Sequence, residues 1–91
     1  MESFKHKGLK KLFEEDIRSG IQPAHAEKLL DILDRLNAAS DVQDMSYPGS
    51  RLHQLKGKRK GEWSVSVSGN WRVTFKFQNG NANDVNYEDY H

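Results

Sequence analysis

The two halves of the chain carry two different hydrophobic periods. In the first half Leu9, Leu12, Phe13 and Ile17 follow i, i+3, i+4, i+8, which gathers them on one face of a helix, with Lys10, Lys11, Glu14 and Glu15 on the others. Ser19-Gly20 is placed to stop that helix, because glycine takes a positive φ without steric cost. A second helix is predicted over residues 23–39. Pro23 has the fixed φ that suits a first turn, and Ala26, Leu29, Leu30, Leu33 and Leu36 recur at helical spacing. The short connection predicts a helical hairpin. Residues 40–50 have no period and contain the turn signal Pro48-Gly49, so they read as a surface loop leading to a sheet.

The second half alternates. Trp63, Val65 and Val67 interleave with Ser64, Ser66 and Ser68; beyond Gly69-Asn70, Trp71, Val73, Phe75 and Phe77 interleave with Arg72, Thr74, Lys76 and Gln78. Period two in consecutive runs joined by a two-residue turn predicts a hairpin. Asn79-Gly80 then leads to a strand with Val85 and Tyr87 pointing inward. Residues 51–55 supply a fourth strand, and residues 3–6 add an edge strand. The predicted fold is α+β: two N-terminal helices on one face of a mostly antiparallel sheet of four to five strands, in a single domain over residues 1–91.

Composition narrows this picture. The chain has 91 residues, 35% hydrophobic and 30% charged, which supports one domain with a thin core. Its mean hydropathy is −0.89. No cysteine is present, so disulfides, thiolate zinc sites and thiol catalysis are excluded. No apolar run approaches the roughly 20 residues that span a bilayer, and the N-terminus has no signal-peptide core, so the expectation is a cytoplasmic protein with no membrane contact. The four histidines are scattered without ligand spacing, and neither glycine-rich phosphate motif occurs; no metal and no cofactor are expected.

The net charge of +1 hides a segregation. Arg51, Lys56, Lys58, Arg59, Lys60, Arg72 and Lys76 face a single Glu62 within residues 51–76, a net of +6, and the rest of the chain sums to −5. If Trp71, Val73 and Phe75 point at the helices, Arg72, Thr74 and Lys76 lie on the opposite, open face. The basic run that holds His53 is suited to lie along phosphates, or is only a solubilising turn. The end of the chain, residues 86–91, crowds titratable and aromatic groups. Metal-free RNA cleavage needs a base for the ribose 2′-hydroxyl, an acid for the departing 5′-oxygen and cations for the phosphorane, roles that histidine, lysine and arginine can fill. Tyrosine can stack a splayed base.

His53-Gln54-Leu55-Lys56-Gly57, Gly61-Glu62-Trp63-Ser64-Val65, Gly69-Asn70-Trp71-Arg72-Val73-Thr74-Phe75 and the ending Asn86-Tyr87-Glu88-Asp89-Tyr90-His91 together resemble the HigB-type toxins of the RelE superfamily. The start, Ser3-Phe4-Lys5-His6-Lys7-Gly8-Leu9, is similar too, so the likeness covers nearly the whole chain. The resemblance implies a RelE-like fold and a toxin of a bacterial type II toxin–antitoxin system. It implies a ribosome-dependent, metal-independent endoribonuclease that cuts messenger RNA in the ribosomal A site by 2′-hydroxyl attack, leaving a 2′,3′-cyclic phosphate and halting translation. Carried over by motif, the catalytic set is His53, Lys56, Arg72, Asp89, Tyr90 and His91. Lys56 and Arg72 are expected at the phosphate, Tyr90 on the nucleotide, Asp89 on a neighbouring ring, and His91 in proton transfer with His53 as the second proton-transfer group; which histidine is base and which acid stays open. Lys58, Arg59, Lys60 and Lys76 are expected to contact RNA or the ribosome.

The implied partners are a HigA-like helix-turn-helix antitoxin, the ribosome with its 16S rRNA, messenger RNA, and operator DNA through the antitoxin complex alone. Two rival readings stand beside this one: a non-catalytic RNA- or DNA-binding module, and a corepressor that acts only with its antitoxin.

Overall fold

The computed structural model describes residues 1–90. Helix α1 spans Lys7–Glu15. Its start is capped by the His6 imidazole, whose Nδ1 accepts the Leu9 N–H at 3.1 Å. It ends one turn earlier than predicted. Asp16 takes the left-handed conformation, φ 55°, so that its N–H and that of Ile17 bond the Leu12 and Lys11 carbonyls. Ile17, expected on the apolar stripe, is therefore exposed. Gly20 does not cap the helix; it serves a close approach. A Cβ on Gly8 would sit 2.6 Å from the Gly20 carbonyl oxygen, and one on Gly20 2.9 Å from the Gly8 Cα.

A 3₁₀ turn at Pro23–His25 runs into α2, Ala26–Ala38. Ala26, Leu29, Leu33 and Leu36 are buried as expected, but Ile32 is fully buried in place of Leu30, which is only half-buried. Residues 40–50 are more ordered than a loop: Asp41 and Asp44 form a capping box around the 3₁₀ turn Val42–Met45, and Met45 is fully buried. Four residues are too few to show a period, so the paired aspartates were the signal available there.

The sheet is an antiparallel meander of β1 (His53–Gln54), β2 (Glu62–Ser68), β3 (Trp71–Gln78) and β4 (Asn81–Asp89), in that spatial order. Residues 3–6 contribute a single parallel bridge, Phe4 to Val85, in place of a full strand. Val65, Val73, Phe75 and Val85 pack against Leu9, Leu12, Leu29 and Leu33 to form the core, with Trp63 and Trp71 half-buried at its margin. The two-layer α+β architecture is the predicted one.

The opposite sheet face departs from expectation. It is polar, as alternation requires, yet it is not open: Thr74, Ser64 and Glu62 are buried, and Arg72 keeps 12% of its side-chain exposure. Alternation states which side a residue takes and says nothing of what lies over that side. Here Arg59, from the 3₁₀ turn Gly57–Arg59, reaches over to Glu62 and Glu88.

Candidate active site

The β1–β2 ladder and the ends of β3 and β4 enclose a cleft of about 260 Å³. It is lined by Ser64 and Ser66 of the central strand β2, by Arg51 and His53 from the β1 side, and by Trp71 and Arg72 of β3 with Tyr90. His53 faces Ser64 across the ladder. Arg51 adopts φ 50°, a left-handed turn that leaves its carbonyl 3.1 Å from His53 Nδ1. A carbonyl only accepts, so Nδ1–H donates, and the neutral ring carries its lone pair on Nε2.

Arg72 lies opposite Glu88 in the β3–β4 register. Its Nε and Nη2 donate to Glu88 Oε2 at 3.2 and 2.9 Å. The guanidinium also lies over the Tyr90 ring, 4.1 Å from the centroid. Tyr90 is held there by its own N–H, which bonds the Asn70 carbonyl in the β2–β3 turn at 3.0 Å. Tyr90, the residue after β4, thus lies beside Arg72. Glu88 also accepts two bonds of 2.8 Å from Arg59, which in turn donates to both oxygens of Glu62. Arg59, helped by Arg72, holds the Glu88 carboxyl down at about 2, and Arg59 lowers that of Glu62 as well.

The site residues expected from sequence fall into three groups. His53, Arg72 and Tyr90 converge on the cleft. Lys56, Lys58 and Lys60 are exposed on the loop between β1 and β2, outside the cleft lining, and Lys76 lies further along β3 with Nζ 3.5 Å from Asp84. Asp89 ends β4 opposite Trp71; His91 lies outside the described residues. Arg59, expected at RNA, has its guanidinium engaged by two carboxylates. The expectation omitted Arg51, Ser64, Ser66 and Glu88. For Glu88 a signal existed: with Tyr87 pointing inward, alternation puts its neighbour on the face of Arg72. For Arg51 the signal was its place in the basic segment of residues 51–76, which says nothing of its left-handed backbone.

Across Trp71 a shallower cleft of about 280 Å³ is lined by His6, Gln22 and Tyr87. There Trp71 and Tyr87 stack with centroids 4.5 Å apart, and His25 Nδ1 lies 2.6 Å from the Tyr87 hydroxyl. Among the described residues no three His, Cys, Asp or Glu side chains converge as a metal set, and no helix is long and apolar enough to cross a membrane.

The fold is a small two-layer α+β domain whose cleft is lined by Arg51, Arg72, His53 and Tyr90 beside the hydroxyls of Ser64 and Ser66. Residues 2–91 match the family model for the RelE-like toxin of the type II toxin–antitoxin system HigB. The chain is 45% identical over 91 residues to the endoribonuclease HigB of Proteus vulgaris, an alignment covering 100% of this chain and 99% of that protein. It is 35% identical over 83 residues to the toxin HigB-1 of Vibrio cholerae serotype O1, covering 87% and 85%. The chain belongs to the HigB family of RelE-like toxins, and membership of a toxin–antitoxin family gives it an antitoxin as partner.

Proposed function

We propose that the protein is a cytoplasmic, ribosome-dependent endoribonuclease that cuts messenger RNA in the ribosomal A site and is neutralised by a HigA-like helix-turn-helix antitoxin. Operator DNA is reached only through that complex. The observation that carries the reading is the convergence of His53, Arg72 and Tyr90, from three separate stretches of the chain, on one cleft. The name of the Proteus vulgaris relative supports the same chemistry.

In this reading His53 Nε2 takes the proton of the ribose 2′-hydroxyl, because the Arg51 carbonyl fixes the other ring nitrogen as the donor. The 2′-oxygen attacks phosphorus, and Arg72, with Arg51 opposite, bears the charge that develops on the phosphorane oxygens. Tyr90 stacks the nucleotide on the ring face that Arg72 leaves open. His91, a proton-transfer residue by the family motif, is then left as the group that protonates the departing 5′-oxygen. Asp89 orients a neighbouring ring, and Lys56 approaches the phosphate from the loop. Lys58, Lys60 and Lys76 contact ribosomal or messenger RNA, and Arg59 backs them from its ion pairs with Glu62 and Glu88.

The test is primer-extension mapping of a defined messenger RNA in a purified translating-ribosome reaction, with ribosomes omitted in one arm and His91→Ala or His53→Ala in others. Cuts at defined codon positions that need ribosomes and vanish in the variants are expected. A folded, antitoxin-free preparation that binds RNA without cutting it would put the non-catalytic binding module in first place.

A further inference from the structure

We propose that Glu88 is a positioning residue for the cleavage step, aiming the Arg72 guanidinium at the scissile phosphate and tying the basic loop of residues 57–61 to the sheet through Arg59. The proposal rests on the endoribonuclease reading above. Four side chains form a continuous series, Glu62–Arg59–Glu88–Arg72, with every link between 2.8 and 3.2 Å. Arg59 binds each carboxylate with two nitrogens, which fixes the plane of the Glu88 carboxylate. That plane presents Oε2 to the Nε and Nη2 edge of Arg72. Tyr90 supports the guanidinium from its face. Two sides of a flexible side chain are thereby fixed before any ligand arrives, and Nη1, which Glu88 does not engage, lies on the remaining side.

The electrostatics argue that this is not simply a cation store. Two positive and two negative groups cancel, so Glu88 weakens the attraction of the cleft for phosphate. A carboxylate beside a phosphate-binding arginine lowers ground-state affinity; what it supplies in return is orientation, which acts on the transition state. Glu62, Glu88 and Arg72 are largely buried while Arg59 is 37% exposed, so the Arg72–Glu88 end of the series is the part shielded from water and from salt screening. The Glu88 carboxyl, held at about 2, stays charged through any physiological pH.

This makes a prediction that separates the clamp from its alternatives. Glu88→Gln keeps shape and one acceptor but removes the charge, so kcat for RNA cleavage on ribosomes should fall by about 10-fold or more while KM is unchanged or lower. Arg59→Gln should also lower kcat but raise KM, because the cleft then gains net negative charge. A residue that only stabilises the fold would lower the melting temperature and leave kcat per folded molecule intact; a residue that only tunes charge would shift KM alone. Either of those patterns, with kcat of Glu88→Gln within about twofold of wild type, overturns the proposal. Should Glu88→Gln fail to fold, Glu88→Asp carries the test: charge is kept, reach is shortened, and kcat should fall at constant KM.

The Arg72 Nε–Hε signal in a nitrogen-15 correlation spectrum gives a readout without catalysis. It should be slow to exchange with water in the wild type and fast in Glu88→Gln. If the wild type cleaves no RNA, the functional reading fails while this signal still decides the clamp; equal exchange in both proteins removes the clamp.

Discussion

Arg72 and Glu88 face each other across the β3–β4 ladder with Nη2 2.9 Å from Oε2, so the strand arginine at the centre of the cleft is an ion-paired group and not a solvated one. Arg72→Ala should abolish most RNA cleavage and also lower stability by about 1–3 kcal/mol, since it strips one partner from a largely buried carboxylate. Glu88 keeps Arg59, which limits the loss. Urea unfolding beside single-turnover cleavage checks both halves. A variant as stable as wild type would mean that the pair contributes nothing in solution.

His53 is exposed, and among the described residues its side-chain hydrogen-bond partner is the Arg51 carbonyl. His53→Ala should therefore leave stability within about 0.5 kcal/mol of wild type. Cleavage should fall by about 100-fold or more, the usual worth of a positioned proton acceptor. Retention of more than a tenth of the wild-type rate would remove His53 from the role of base.

The periods in the sequence report faces, and the faces were legible: Val73 and Phe75 point inward, and Arg72 and Thr74 point away from the helices. What a period does not report is how far a side chain travels from a loop. Arg59 was indistinguishable in sequence from Lys58 and Lys60, yet its planar fork meets two carboxylates while the lysines stay exposed. The same blindness applies to backbone geometry. Ile17 fits the helical stripe by spacing, but Asp16 turns left-handed one residue before it and leaves it exposed. Arg51 was counted as charge, whereas its left-handed φ and the direction of its carbonyl are what connect it to His53.

Gly8 and Gly20 form the closest backbone approach among the glycines, where α1 meets the connection to the second helix. Gly8→Ala would bring a methyl to 2.6 Å from the Gly20 carbonyl and 2.9 Å from the His6 ring, so backbone must move. A loss of about 1–3 kcal/mol, or of the order of 10 °C in Tm, is expected. Gly80→Ala has more space, with 3.6 Å to the nearest backbone oxygen, but its φ of 78° is strained for alanine, so Gly49, with no atom within 4 Å, is no neutral control either at φ 86°. The informative control is the exposed Ala24→Gly, which should move Tm little. Thermal melts that rank Gly8→Ala with that control would mean that the two segments part easily.

His6 gives the fold a dependence on pH near neutrality. Its Nδ1 caps α1 by accepting the Leu9 N–H, and its ring meets the edge of Tyr87 at 5.4 Å. Burial lowers its pKa from 6.5, because the charged ring is poorly solvated there, and a protonated Nδ1 could not accept the cap bond. The unfolded chain therefore binds a proton more readily than the folded one. Stability from this residue is complete above pH 7, falls as pH drops below 6.5, and levels off once the folded-state value is passed. Glu62 and Glu88 act in the same direction but lower down: their contribution is present above the ordinary carboxylate value of 4.5 and is lost as pH falls toward 2. The two windows are distinct. His6→Asn supplies a cap that does not titrate, at a cost of no more than about 1 kcal/mol near pH 7. Urea unfolding at pH 7, 6 and 5 should show the wild type losing stability relative to His6→Asn as the pH falls, with the contributions of the other histidines cancelling in the difference. A constant difference across those three pH values would mean that the cap survives protonation and that His6 is not the source of the dependence.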